Sequence, residues 1–86
     1  MKENKEYVRK LANSLISGKT MYVEELRNKL NENEFFTTRG TEYKKGRGIY
    51  KLISATFHWL EAQNLLGEAQ KVAKAFVKPN GSYAYA

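Results

Sequence analysis

Side chains able to carry covalent chemistry are few in this chain: one histidine, His58, with no cysteine and no aspartate. A nucleophilic triad needs that histidine to meet both a nucleophile and an orienting carboxylate. Glu61 follows His58 by three residues and can reach it along one helical turn, which on a helix surface is an ordinary hydrogen bond. A zinc centre takes three or four ligands, and a lone histidine without cysteine falls short. Glu24-Glu25 and the Glu32/Glu34 pair stand near expected helix ends, where the helix dipole and solvation account for them without acid–base work. The expectation is a chain that binds and does not catalyse, with no metal and no cofactor.

Positive charge is the remaining chemistry, and it is concentrated. The formal net charge is +6. Residues 39–51 hold Arg39, Lys44, Lys45, Arg47 and Lys51 against Glu42 alone, so +4 of that excess lies in 13 residues, while the stretches on either side hold +1 each. A local cluster of this kind makes a potential that attracts polyanions, whereas evenly spread charge mostly aids solubility. A solvated loop explains the same cluster without a partner.

Two features refine the cluster. Gly46-Arg47-Gly48 stands immediately before the third expected helix, so free N–H groups of its first turn point toward a segment where glycine permits close approach and Arg47 offers a fork matched to phosphate. Turn geometry alone also explains both glycines. The G-x-x-x-x-G-K-[ST] spacing of a nucleotide-hydrolysing loop is absent. Further on, Lys51, Ser54 and His58 share a helix face with Ala55 and Ala62, and small residues between polar ones let a helix sink into a major groove. An ordinary solvated face has the same composition. Tyr50 borders this face and can touch a phosphate or simply pack. Tyr83 and Tyr85 fall on one side of the final segment and read as strand-pairing or core residues before base-stacking platforms.

The elements that position these residues are mostly helices. With 86 residues, 42% of them hydrophobic and 28% charged, the chain is expected to form one domain over 1–86 with a single layer of helix contacts as its core. Tyr7, Val8, Leu11, Ala12, Leu15 and Ile16 recur at helical spacing and predict a first helix over about Asn4–Ser17, stopped by Gly18. Thr20-Met21-Tyr22 predicts a short strand leading into a second helix over about Val23–Asn31, which buries Val23, Leu26 and Leu30. No periodicity survives from Asn31 to Arg47, a loop pinned by Phe35, Phe36 and Tyr43. The third helix is predicted over Gly48 to about Asn64, with Ile49, Leu52, Ile53, Thr56, Phe57 and Leu60 as its apolar stripe. Residues 68–77 read as a helix or as a strand, with Gly67 as the break before them, and the helical reading gives the cleaner face. Pro79-Asn80-Gly81 is a turn, and residues 82–85 form a closing strand whose expected mate is the strand at 20–22. Apolar stretches are a few residues long, against about 20 for a bilayer span, and Met1 to Glu6 carries no apolar signal segment. Absence of cysteine fits a reducing compartment, so the cytoplasm is the expected location and no membrane association is expected.

Helix, short strand, helix, loop, helix and terminal β element is an order that resembles the winged helix-turn-helix superfamily over about residues 7–66, with Thr20-Met21-Tyr22-Val23-Glu24-Glu25-Leu26 similar to its strand-to-second-helix junction. The resemblance implies a mainly α, winged-helix-like domain of three or four helices with a small β element. It implies that the third helix is the recognition element and that the terminal β segment stands in the place of the wing. Arg39, Lys44, Lys45 and Arg47 would then contact phosphates, and Lys51, Ser54 and His58 would face bases. The sequence departs from that pattern in its long loop between the second and third helices, in Val23 where a capping Ser or Thr is common, and in a helix at 68–77 where the first wing strand would lie. Two functions are consistent with these observations. One is a small basic accessory or regulatory protein that binds nucleic acid, duplex DNA in particular. The other is an interaction module, adaptor or inhibitor, that docks on an acidic protein surface through the same loop, with tyrosines as anchors.

Overall fold

Residues 2–85 are described in a computed structural model of the chain. Among them the order is α1 (Lys2–Ser14), β1 (Met21–Tyr22), α2 (Val23–Glu32), α3 (Arg47–Ala62), α4 (Leu66–Ala75) and β2 (Phe76–Val77). The fold is mainly helical with a small β element. α3 carries the widest apolar stripe, and all six of its predicted core positions, Ile49, Leu52, Ile53, Thr56, Phe57 and Leu60, are buried. α1 and α4 pack on it and on each other, while α2 packs against α1 and against the two strands. Val8, Leu26, Leu30, Ile53, Leu60, Val72 and Phe76 make the shared centre. Each such side chain is worth about 1.5–3 kcal/mol when fully removed from water. Thr56, the polar member of the α3 stripe, donates its hydroxyl to the Leu52 carbonyl at 2.7 Å and so enters the core with its hydrogen bond made.

The pairing of the strands differs from expectation. β1 does not mate with residues 82–85. It runs parallel to β2, with Met21 opposite Phe76 and Tyr22 opposite Val77. The final segment instead folds back on β2, where Tyr83 forms an antiparallel bridge to Val77. The turn explains the choice. Lys78 N–H donates to the Ser82 carbonyl at 2.7 Å and Gly81 N–H to the Lys78 carbonyl at 2.8 Å, so Pro79-Asn80-Gly81 returns the chain onto its immediate neighbours. Closing so short a loop costs less entropy than reaching residues some sixty positions away.

Helix ends also moved. α1 stops at Ser14, short of the expected Ser17, because the Ser14 hydroxyl bonds to the Leu11 carbonyl at 2.7 Å, the acceptor that Leu15 N–H would use to continue the helix. Leu15 N–H turns to Ala12 instead, and Ile16 is left 75% exposed. Gly18 serves a separate turn beyond the helix. The break between α3 and α4 falls at Asn64, not Gly67: Asn64 takes a left-handed conformation while Asn64 N–H reaches the Glu61 carbonyl and Leu65 N–H the Leu60 carbonyl. That is a Schellman cap with asparagine in the glycine position, and Gly67 lies inside α4. Residues 68–77 satisfy both readings in turn, helix as far as Ala75 and strand over Phe76–Val77. Val23 is the first residue of α2 and not its cap; Tyr22 holds that position without a side-chain hydrogen bond.

One polar lock joins α1 to α4. The Arg9 guanidinium bonds Glu68 through Nε at 2.7 Å and Nη2 at 3.0 Å, and Asn13 donates to the same carboxylate at 2.8 Å. The bond from Arg9, then that from Asn13, holds the Glu68 carboxyl below its ordinary 4.5 against the opposing effect of burial. A carboxyl depressed in the fold contributes stability at pH above its unfolded value, and that contribution is lost as pH falls through the lower folded value. Glu68→Gln is therefore expected to lower the melting temperature at neutral pH and to flatten its decline below pH 4.5, measured by thermal denaturation across pH.

Candidate functional site

The long loop is held at both ends by its own sequence. α2 closes on Glu34 in the left-handed region, with Phe35 N–H returning to the Leu30 carbonyl at 2.8 Å. Thr37 and Thr41 then pinch a small turn, their hydroxyls 2.9 Å apart and Thr37 N–H on the Thr41 carbonyl at 2.8 Å. Asn31 next captures the backbone of Tyr43 from both sides. Tyr43 N–H donates to Asn31 Oδ1 at 2.8 Å, and Asn31 Nδ2 donates to the Tyr43 carbonyl at 2.9 Å. The Tyr43 ring is buried, with its hydroxyl accepting from Asn4 Nδ2 at 2.8 Å, while Asn4 also donates to the Phe36 carbonyl at 2.8 Å. Burial raises the Tyr43 phenol above its ordinary value, and the Asn4 bond partly opposes that rise.

This anchoring sorts the basic residues into two groups. Arg39 sits on the Thr37–Thr41 turn, exposed, and Lys44 is exposed beside Tyr43. Lys45 lies 3.7 Å from Glu24 in the first turn of α2, both side chains well exposed. None of these three enters the groove that forms on α3. Arg47, Tyr50, Lys51 and Ser54, one face of its N-terminal half, line that groove with Gly46, Ala84 and Tyr85, and no glutamate is among its walls within the described residues. Its volume is about 540 Å³.

The far wall comes from the end of the chain. Tyr85 stacks on Phe57 with ring centroids 4.3 Å apart and meets His58 edge-on at 6.0 Å, so His58 borders the groove without lining it. The imidazole also makes the expected surface contact, Nδ1 to Glu61 Oε1 at 3.3 Å. Lys78, at the start of the terminal hairpin, places its ammonium 5.9 Å from the centre of the Tyr50 ring, within cation–π range. Three cations, Arg47, Lys51 and Lys78, thus stand about two tyrosines and a serine. Among the described residues none of the three has an ion-pair partner.

Lys78 and Tyr85 were missed as site residues because the terminal segment was expected beside β1. Pro79-Asn80-Gly81 is the signal that finds them, since a tight turn there must carry residues 82–85 back past Lys78. Tyr83 and Tyr85 also do not share a side: the chain bends at Ala84, and Tyr83 lines a different groove from Tyr85.

Gly46 fixes the junction between loop and groove. Its backbone lies at φ 122, ψ −149, a region that only glycine occupies without strain. Gly48 has no such requirement; a Cβ there would meet Tyr43 Cδ1 at an ordinary 3.8 Å. Gly46→Ala is expected to cost about 1–3 kcal/mol in chemical denaturation, and Gly48→Ala to cost far less.

Among the described residues no group of three or more His or carboxylate side chains is placed to hold a metal ion, and no helix is long and apolar enough to cross a membrane. The chain matches no family model, no curated protein and no solved structure.

Proposed function

We propose that this chain is a small DNA-binding protein of winged-helix-like design, an accessory or regulatory factor that lays the N-terminal half of α3 against duplex DNA. The observation that carries this reading is the groove in which Arg47 and Lys51 stand beside Tyr50, Ser54 and Tyr85, with the Lys78 ammonium over the Tyr50 ring and no glutamate among the described lining residues. Support also comes from the order of elements: α1, β1, α2 and α3 are followed by a hairpin at 78–83 beside α3, where a wing would flank a recognition helix. α4 stands between α3 and that hairpin and takes the place of the first wing strand.

The division of labour follows from chemistry. Arg47, Lys51 and Lys78 contact phosphates, with Arg39, Lys44 and Lys45 adding long-range attraction from the loop. Ser54 and His58 face base edges, and Tyr50 either packs against sugar or donates to a phosphate. B-form DNA suits this face better than double-stranded RNA, whose major groove is too deep and narrow for a helix to read.

Titration with duplex DNA across salt concentrations tests the reading. Each phosphate neutralised contributes about −0.9 to the slope of log K against log salt. Three contacts beside α3 give a slope of about −2.7, and the loop cations, acting at longer range, add less than half as much again, so a slope between about −2.7 and about −4 is expected. Undetectable binding at low salt sinks the proposal. Recovery of one stoichiometric protein partner, insensitive to nuclease, would instead favour docking of the same basic face on an acidic protein.

A further inference from the structure

A second groove lies between the end of α1 and α4, and it shares no lining residue with the α3 groove. Its floor includes Ala12 and Ala75, both buried. Its walls carry two of the most exposed large apolar side chains among the described residues, Ile16 at 75% and Tyr83 at 48%. Lys19, Lys71 and Lys74 complete the rim, and no glutamate is among its walls within the described residues. Glu68, on the same helix as the two α4 lysines, is already taken by Arg9 and Asn13.

We propose that this groove docks an acidic, amphipathic peptide segment of a protein partner, seating apolar side chains against Ile16 and Tyr83 and carboxylates on Lys19, Lys71 and Lys74. Apolar surface on both walls argues for a peptide: a nucleic-acid backbone would gain from the lysines and leave Ile16 in water. The rim argues against a second copy of this chain, because a symmetric contact would bring lysines against lysines in a protein of net charge +6. An acidic helix with apolar residues at i, i+3 and i+7 satisfies both halves at once. The inference is independent of DNA binding: either can hold if the other fails.

The probe is a synthetic helical peptide with leucine at i, i+3 and i+7 and glutamate elsewhere, added to the isotope-labelled full chain while amide resonances are followed. Saturable shifts centred on Ile16, Lys19, Lys74 and Tyr83 are expected. Ile16→Ser, a change on an exposed side chain, is expected to weaken binding about tenfold, as loss of one interface anchor does, and to leave the duplex titration unchanged. Lys71→Gln/Lys74→Gln is expected to weaken peptide binding to a similar degree, and exchanging the glutamates of the peptide for lysines to abolish it. The proposal is overturned by any of four results: no saturable shift up to about 1 mM peptide, a free energy near −4 kcal/mol; poly-glutamate binding as tightly as the leucine-bearing peptide; shifts centred on Arg47 and Tyr85; or duplex DNA moving the Ile16–Tyr83 resonances in place of those on α3.

Discussion

Replacing Arg47, Lys51 and Lys78 together by glutamine should make the salt slope of duplex binding shallower by about 2.7, three contacts at about 0.9 each. Referred to 1 M salt, that change alone weakens binding about a hundredfold at 0.15 M. The triple variant is expected to fold normally, because these side chains are not in the core. The companion triple, Arg39, Lys44 and Lys45, removes the same formal charge from the loop. It should change the slope by less than half as much, since none of those residues lines the groove or, like Lys78, stands over one of its lining side chains, and Lys45 already has Glu24 nearby. Equal effects from the two triples would mean that net charge governs binding and that the α3 groove has no special part. Ser54→Ala and His58→Ala supply the complementary reading. A base-edge contact is worth about 1–3 kcal/mol of discrimination between sequences and carries no counterion release. These variants should therefore relax sequence preference at constant slope.

The contrast between the two triples shows what was readable in one dimension and what was not. The α3 stripe was readable because six apolar positions repeat with the helical period, and burial on one side follows from that period alone. Charge concentration in residues 39–51 was equally plain. Its division was not, since Arg47 and Lys51 are ordered by helix geometry whereas Arg39, Lys44 and Lys45 hang on a loop whose course is set by Asn31 and Asn4. Those two asparagines look like ordinary surface residues in sequence, and only the tertiary fold shows that they bond Tyr43. The strand pairing was hidden for a different reason. Strands of two residues, Met21–Tyr22 and Phe76–Val77, carry no alternation from which register could be read. The end of α1 and the break before α4 were misplaced where the sequence used an unusual device, Ser14 bonding its own helix and Asn64 in a left-handed position that usually signals through glycine.

Tyr43 is where fold and candidate site meet, and its truncation should have the largest effect on stability. Tyr43→Ala empties a buried aromatic position, at about 3–5 kcal/mol by the usual large-to-small penalty, and takes an acceptor from Asn4. Domains of this size typically have 5–15 kcal/mol in total, so the melting temperature should fall by roughly 20 °C. Tyr43→Phe keeps the ring and should cost about 1 kcal/mol, the net worth of the hydrogen bond from Asn4. The pair also separates in alkali. A phenol whose folded value is raised contributes stability that is complete below its unfolded value, 10.0 for an ordinary tyrosine, and is lost as pH rises from there through the folded value. Wild type should therefore lose stability above pH 10.0 more steeply than Tyr43→Phe, and equal alkaline limbs would show that the ring is not buried. The same truncation tests whether the loop positions α3 or merely adds charge. Below its lowered melting point Tyr43→Ala keeps every cation, so its salt slope should match wild type while its affinity for duplex falls, because the Asn31 clasp must now hold residues 43–46 without the ring beneath them. Charge removal changes the slope and anchor removal changes the intercept. A Tyr43→Ala protein binding duplex as tightly as wild type would show that the anchored loop has no part in presenting Arg47 and Lys51.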